Sequence, residues 1–279
     1  MSEYLKKQMS DFYNYLILEE KEQSTIEKYL SEMQSFTLWL GERSITKRVI
    51  FEWKEHLCQC DYQANTINAK ISVLNKFLCF IGIPEYKLKY LKIQKKLFCS
   101  TEKELKKEEY ERLLKIAEQQ GKTRLSLLIE TICATGIRVS EVKYITIKAI
   151  QTGQANISLK GKIRTILLPN KLCRKLIKYA KKQNITSGEI FLTRNHKVIS
   201  RRQIWAEMKA LCEKANVAHS KVFPHNLRHL FARTFYRACK DISKLADVLG
   251  HSNINTTRIY LISTGIEHKE KMEKLGLIV

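Results

Sequence analysis

A chain of 279 residues, 44% of them hydrophobic, has room for two domains that each bury a core, and this composition excludes a disordered class. No 18 apolar residues run together and the opening MSEYLKKQMSDFYNYL carries no apolar signal core, so membrane insertion and secretion are not expected. A net charge of +22, from 50 Lys and Arg against 28 Asp and Glu, predicts a polyanionic partner, with nucleic acid the leading candidate.

Leu5, Met9, Phe12 and Leu16 recur at helical spacing and predict a first helix within residues 1–19. Ser24-Thr25-Ile26-Glu27 reads as a capping box opening a second helix, which runs through Tyr29, Phe36 and Leu40 to a stop at Gly41. Thr46 begins a third, with Val49, Ile50, Trp53 and Leu57 at apolar positions. TINAKISVLNKFLCFIG is a fourth, closed by Gly82 and Pro84. These helices make a compact N-terminal bundle over residues 1–91. Residues 87–107 are basic and poorly periodic, which places a linker at 92–104, a hinge that lets two domains close around a partner.

Beyond the linker, EEYERLLKIAEQQ and RLSLLIETICATG are two helices. In ANISLKGKIRTILLP, alternation on both sides of Lys160-Gly161-Lys162 predicts a β-hairpin. NKLCRKLIKYAKKQ, SRRQIWAEMKALCEKA, PHNLRHLFARTFYRAC and DISKLADVLG are helical again, and a short helix surrounds Tyr260. Residues 105–279 are therefore expected to form a mainly α domain with a small antiparallel β-sheet. The charge is lopsided: residues 1–98 hold 15 bases against 12 acids, and 99–279 hold 35 against 16. The C-terminal part should grip the polyanion hardest. Of eight cysteines only Cys58 and Cys60 are close in sequence, and no CxxC pair occurs. The thiols read as small buried apolar groups in a reducing cytoplasm.

Four segments carry chemistry. In PHNLRHLFART, Pro224 suits a helix start and Leu227, Leu230, Phe231 and Thr234 fall on one apolar face. His225, Arg228 and His229 lie away from it, in the first turns, where free N–H groups favour an anion. His225 and His229 also have the i, i+4 spacing of a metal pair, but the HExxH glutamate is missing and an arginine lies between them, so no metal is expected. In CATGIRVSEV, Thr135-Gly136 breaks one helix and launches another carrying Arg138 and Glu141, which either pair at the surface or hold a guanidinium toward phosphate. Asp241 caps DISKLADVLGHS, Gly250 ends it, and His251 follows in the loop leading to Tyr260. Arg201, Arg202 and Lys209 of SRRQIWAEMK, with Lys162 and Arg164 of the hairpin, are candidate DNA contacts, since a basic helix fits a major groove.

In this order, Arg138, Lys160, His225-x-x-Arg228, His251 and Tyr260 resemble the catalytic set of the tyrosine recombinase family, the phage integrase-like site-specific recombinases. ATGIRVSE is similar to that family's first arginine box, HNLRHLFAR to its H-x-x-R-H box, and LGHSNINTTRIY to its final histidine-to-tyrosine box. The resemblance spans roughly residues 105–265, and the N-terminal bundle is similar in architecture to the family's core-binding, SAM-like domain. Lys160 and Lys162 both fit the hairpin lysine, Lys160 the better.

The resemblance implies cutting and rejoining of double-stranded DNA through a 3′-phosphotyrosyl bond, with neither metal, ATP nor other cofactor. A free phenol with pKa near 10 is about one-thousandth ionised at pH 7, a handicap of roughly 4 kcal/mol. Cations around the phosphate offset it. By resemblance Arg138 and Arg228 form that clamp, and His251 adds a hydrogen bond to a non-bridging oxygen. His225 relays the proton of Tyr260, Lys160 protonates the leaving 5′ oxygen, and Glu141 and His229 support the set. Four protomers on two sites form a homotetrameric synapse in the cytoplasm, on the nucleoid, and the tail stripe Ile266, Met272, Leu275 and Leu277 either docks on a neighbour, as such tails do in the family, or packs back onto its own domain. Two other readings share these residues: a DNA-binding protein without catalysis, and a type IB topoisomerase.

Overall fold

A computed structural model describes residues 3–93, 103–159, 162–261 and 273–274. The chain divides into two compact units, Met1–Lys95 and Lys96–Val279. Each has a separate apolar core.

The first unit holds α1 (Glu3–Leu18), α2 (Gln23–Leu40), α3 (Lys47–Gln59) and α4 (Ala64–Phe80), followed by a single 3₁₀ turn at Pro84–Tyr86. Phe12, Leu16, Phe36, Leu40, Ile50, Leu57, Ile71 and Phe77 are its fully buried centre. Phe12 and Phe77 meet edge to face at 5.2 Å. Thr46 caps α3 as expected, its hydroxyl accepting from the Val49 N–H at 3.3 Å. The expected capping box at Ser24 does not form. Thr25 and Ile26 already donate to the Glu22 carbonyl, so the helix is running before Ser24 is reached. Two asparagines seven residues apart on α4 strap down the chain that follows it. Asn75 exchanges both hydrogen bonds with the backbone of Leu88, and Asn68 does the same with Leu91, at 2.8–3.0 Å. Of the linker expected at 92–104, residues 94–102 lie outside the described residues.

The second unit comprises α5 (Lys107–Gln119), α6 (Thr123–Thr135), a 3₁₀ segment (Val139–Tyr144), α7 (Ile147–Thr152), β1 (Gln154–Leu159), β2 (Lys162–Leu167), α8 (Asn170–Lys182), α9 (Arg201–Lys209), α10 (Pro224–Cys239), α11 (Ile242–Leu249) and α12 (Ile254–Arg258). A 3₁₀ turn at Ile259–Leu261 carries Tyr260. α6 is apolar nearly all round, with Leu125, Leu127, Leu128, Ile129 and Ile132 buried, so it forms the axis against which α5, α8 and α10 pack. β1 and β2 pair antiparallel from Gln154↔Leu167 to Leu159↔Lys162, the expected hairpin. α7 was not legible in the sequence, because six residues are too few to set a helical period. α9 stops at Lys209 rather than running on through Ala215, since Leu211, Cys212 and Ala215 turn into the core instead.

The cysteines depart from the expectation of buried thiols. Cys173 and Cys212 are buried, but Cys58, Cys79 and Cys239 are exposed and Cys60 and Cys133 are half-buried. The amphipathic helices that carry them present apolar faces already filled by larger side chains, leaving Cys58 and Cys79 outside. Cys99 lies outside the described residues.

Candidate active site

Arg228 is the centre of the site. It is 1% exposed and is the largest side chain that the described protein buries fully. The sequence placed it away from the apolar face of α10, and Leu227 and Leu230 are buried as expected, but the guanidinium is buried too, while Thr234 is exposed. Its Nη1 donates to the Gly136 carbonyl, its Nη2 to the Leu249 carbonyl at 2.9 Å, and its Nε faces the Tyr260 hydroxyl at 3.4 Å. Among the described residues none of its partners is a carboxylate. Burial, reinforced by Arg138, lowers its pKa, yet a guanidinium is so strong a base that it keeps its charge. A buried cation held by dipoles alone has charge to spare for an anion.

Gly136 makes that geometry possible. It ends α6 in the left-handed region at φ +65°, and a Cβ there would lie 2.4 Å from the Phe231 ring. Two residues on, Arg138 leads into the 3₁₀ segment. Glu141 accepts from the Arg138 backbone N–H at 2.7 Å and from its Nη1 at 3.0 Å. The carboxylate is 2% exposed and the arginine side chain 41% exposed. The acid of the pair is thus buried and the guanidinium is its more open member.

α11 delivers the histidine. The Asp241 carboxylate caps it, accepting from the N–H groups of Ser243 and Lys244, and Gly250 ends it at φ +65°. The His251 Nε2 lies 2.9 Å from Arg228 Nη2, and its Nδ1 lies 2.8 Å from the Thr257 hydroxyl. A guanidinium has only donors, so Nε2 accepts and the ring proton sits on Nδ1, donating to Thr257. Burial first, then the charges of Arg228, Arg138 and Arg164, push the His251 pKa down to about 4, which agrees with a neutral ring.

Tyr260 is 6% exposed. Three imidazoles surround its ring: His229 at 4.3 Å, His251 at 5.7 Å and nearly parallel, and His225 at 5.8 Å. His225 and His229 meet edge to face at 4.7 Å. Desolvation, with Arg228 and Arg138, lowers the His225 pKa, and desolvation with neighbouring His225, Arg233 and Arg228 lowers that of His229 to about 4. His225 is the exposed member of the three.

The remaining candidates divide. Arg201 and Arg202 are exposed at the start of α9, where Ser200 caps the helix, and Trp205 beside them is 50% exposed. Lys209 turns back onto its own unit, donating to the His219 carbonyl with its amine 5.0 Å from the Trp205 ring. Arg164, expected at a DNA-facing surface, points inward and pairs with Glu141. Lys160 lies outside the described residues, and for Lys162 only the backbone, in β2, is described. The tail stripe from Ile266 to Leu277 also lies outside them. Thr257, fully buried against His251, and the carbonyls of Gly136 and Leu249 were not singled out from sequence. Thr257 lies inside the histidine-to-tyrosine segment, but nothing local marks it among two neighbouring threonines. Among the described residues no group of three or more His, Cys, Asp or Glu is placed to hold a metal ion, and no helix is long and apolar enough to cross a membrane.

Residues 103–265 match the phage integrase family, and residues 9–81 match the N-terminal SAM-like domain of phage integrases. The chain belongs to the phage integrase family. It is accordingly an enzyme, a tyrosine-type site-specific recombinase. Tyrosine recombinase XerA of Pyrococcus furiosus is 30% identical over 97% of this chain and 94% of its own. Tyrosine recombinase XerD of Halalkalibacterium halodurans is 26% identical over 85% of this chain and 86% of its own. The crystal structure of XerA recombinase covers 99% of this chain and 100% of its own at 22% identity, with a TM-score of 0.53. A lambda integrase tetramer bound to a Holliday junction covers 92% of this chain and 76% of its own at 16% identity, with a TM-score of 0.72. These two likenesses speak for the fold, mainly helical with a small antiparallel sheet.

Proposed function

We propose that this recombinase cuts and rejoins double-stranded DNA at a specific site by forming a 3′-phosphotyrosyl bond at Tyr260. The observation that carries the reading is the placement of the Tyr260 hydroxyl 3.4 Å from Arg228 Nε, inside a ring of three histidines. A phenol packed only for its bulk has no use for a fully buried arginine that, among the described residues, has no carboxylate partner.

The scissile phosphate enters between Arg138 and Arg228, whose donors neutralise the charge that builds on its non-bridging oxygens. Tyr260 Oη attacks phosphorus, and its proton passes to His225, kept neutral by its lowered pKa and so able to accept it. His251 gives up its bond to Arg228 and shifts its ring proton from Nδ1 to Nε2, so that Nδ1 accepts from the Thr257 hydroxyl and Nε2–H donates to a non-bridging phosphate oxygen. Lys160 protonates the departing 5′ oxygen. A 5′ hydroxyl from the partner strand then attacks the phosphotyrosine, the tyrosine regains its proton, and the phosphodiester is restored. One ester replaces another at each step, so the cycle conserves bond energy and calls for no ATP. Glu141 aims Arg138, and His229 packs against the Tyr260 ring. Arg201 and Arg202 on α9 contact DNA.

Residues 1–91 form the core-binding domain, 92–104 the linker and 105–279 the catalytic domain. Four protomers act as a homotetramer on two DNA sites, in keeping with the tetrameric lambda integrase on a Holliday junction. The chemistry of the substrate puts the enzyme in the cytoplasm, on the nucleoid. The test uses a nicked suicide duplex carrying the sequence that the protein selects from a randomised pool. Wild type should give a protease-sensitive adduct at the DNA 3′ end and Tyr260→Phe none. An adduct of equal yield with the phenylalanine variant refutes the assignment.

A further inference from the structure

Arg164 has no part in the chemistry above, yet its guanidinium touches two of the groups that build the site, the Glu141 carboxylate and the Leu249 carbonyl. It lies on β2 opposite Ile157, with its side chain 15% exposed and directed inward. One arm of the guanidinium, Nη2, donates to Glu141 Oε2 at 2.5 Å, the same oxygen that accepts the Arg138 backbone N–H. The other arm, Nη1, donates to the Leu249 carbonyl, which also accepts from Arg228 Nη2. Two arginines from different elements thus converge on the last carbonyl of α11, the negative end of that helix and two residues before His251. Gly250 leaves room for this approach. A Cβ there would lie 2.4 Å from Arg164 Cδ and 2.5 Å from its Nη1.

We propose that Arg164 is a positioning residue of the recombination reaction, tying the hairpin strand to the carboxylate that aims Arg138 and to the carbonyl that fixes the His251 loop. The inference rests on the reaction proposed above. Glu141 is a buried acid shared by two guanidinium groups, one open to the phosphate and one not. The inner guanidinium fixes the carboxylate, so the carboxylate has one direction in which to hold Arg138. Its fork matters as much as its charge, because the two acceptors lie on separate elements and a point charge reaches one of them. Desolvation lowers the Arg164 pKa and Glu141 opposes the fall, consistent with a cation retained inside for what it holds.

The experiment compares full-length wild type, Arg164→Met, Arg164→Lys, Glu141→Gln and the Met/Gln double variant on the suicide duplex described above. Single-turnover adduct formation is followed across protein concentration, which separates the saturated rate from the concentration at half-saturation. Arg164→Met and Glu141→Gln should each slow the saturated rate by about tenfold to a hundredfold, the effect of a displaced catalytic group, and change half-saturation little. The double variant should be no slower than the slower single one, because both remove the same support. Arg164→Lys should fall between wild type and Met.

A saturated rate for Arg164→Met within about twofold of wild type overturns the proposal, whether or not DNA binding weakens. Losses that multiply in the double variant overturn it as well. Should the Met variant lack a cooperative melt, the Lys variant decides: a slowed rate supports the proposal and a wild-type rate refutes it. Wild type failing to form any adduct, or Tyr260→Phe forming one, refutes the reaction assignment itself, and this inference falls with it.

Discussion

Burial sets the protonation of the histidines around Arg228. Desolvation first, then the charges of Arg228 and Arg138, lowers the pKa of His225 and His251, and desolvation with His225, Arg233 and Arg228 lowers that of His229. His229 and His251, at about 4 when folded, have lower pKa values than the 6.5 of an unfolded chain. As pH falls the unfolded state therefore takes up these protons first, and the stabilisation present above pH 6.5 is lost between 6.5 and 4. The melting temperature should drop over this window, and His229→Gln with His251→Gln should flatten the drop. An equal slope in wild type and the double variant would contradict the assignment. The histidines and the tyrosine were legible in sequence because they fall in short ordered boxes. That Arg228 is wholly enclosed was not, since helical spacing reports which residues share a face and not which faces the rest of the chain covers.

Element boundaries were legible where a side chain carries the signal, as with Thr46 at α3 and Asp241 at α11, and less so elsewhere. The box at Ser24 failed because the helix starts at Gln23, and α9 stopped short because tertiary burial of Leu211 and Cys212 outweighed a continuing helical pattern. Gly136 and Gly121 separate two effects of a helix-ending glycine. Gly121 has φ +66° and nothing within 4 Å of a built Cβ, so Gly121→Ala should cost roughly 1 kcal/mol of left-handed strain. Gly136→Ala adds a collision with Phe231 and should cost roughly 3 kcal/mol, displace α10 and slow cleavage. Chemical denaturation and adduct assays of both variants check this. Equal costs, or a Gly136→Ala enzyme of normal rate, would show that the close approach to Phe231 is dispensable.

At the scale of the molecule, the two-unit organisation followed from a break in periodicity, and the uneven charge followed from counting: 35 bases against 16 acids beyond residue 98, and 15 against 12 before it. What counting could not tell was which cations remain outside. Arg164 and Lys209 are engaged inside their own unit, while Arg201 and Arg202 are exposed. Removing both exposed arginines with glutamine should weaken DNA binding and lower the slope of log K against log salt by about one to two. Lys209→Gln should leave the slope nearly unchanged, and titrations from low to moderate salt read the difference. A slope lost equally with Lys209 would mean that this lysine faces DNA after all.

The most direct measurement is peptide mapping of the covalent complex by tandem mass spectrometry after nuclease and protease digestion. The nucleotide mass should sit on Tyr260, attached through the 3′ phosphate, in the peptide that follows Arg258. A nucleotide on any other side chain, or one joined through a 5′ phosphate, would contradict the reaction described for this site.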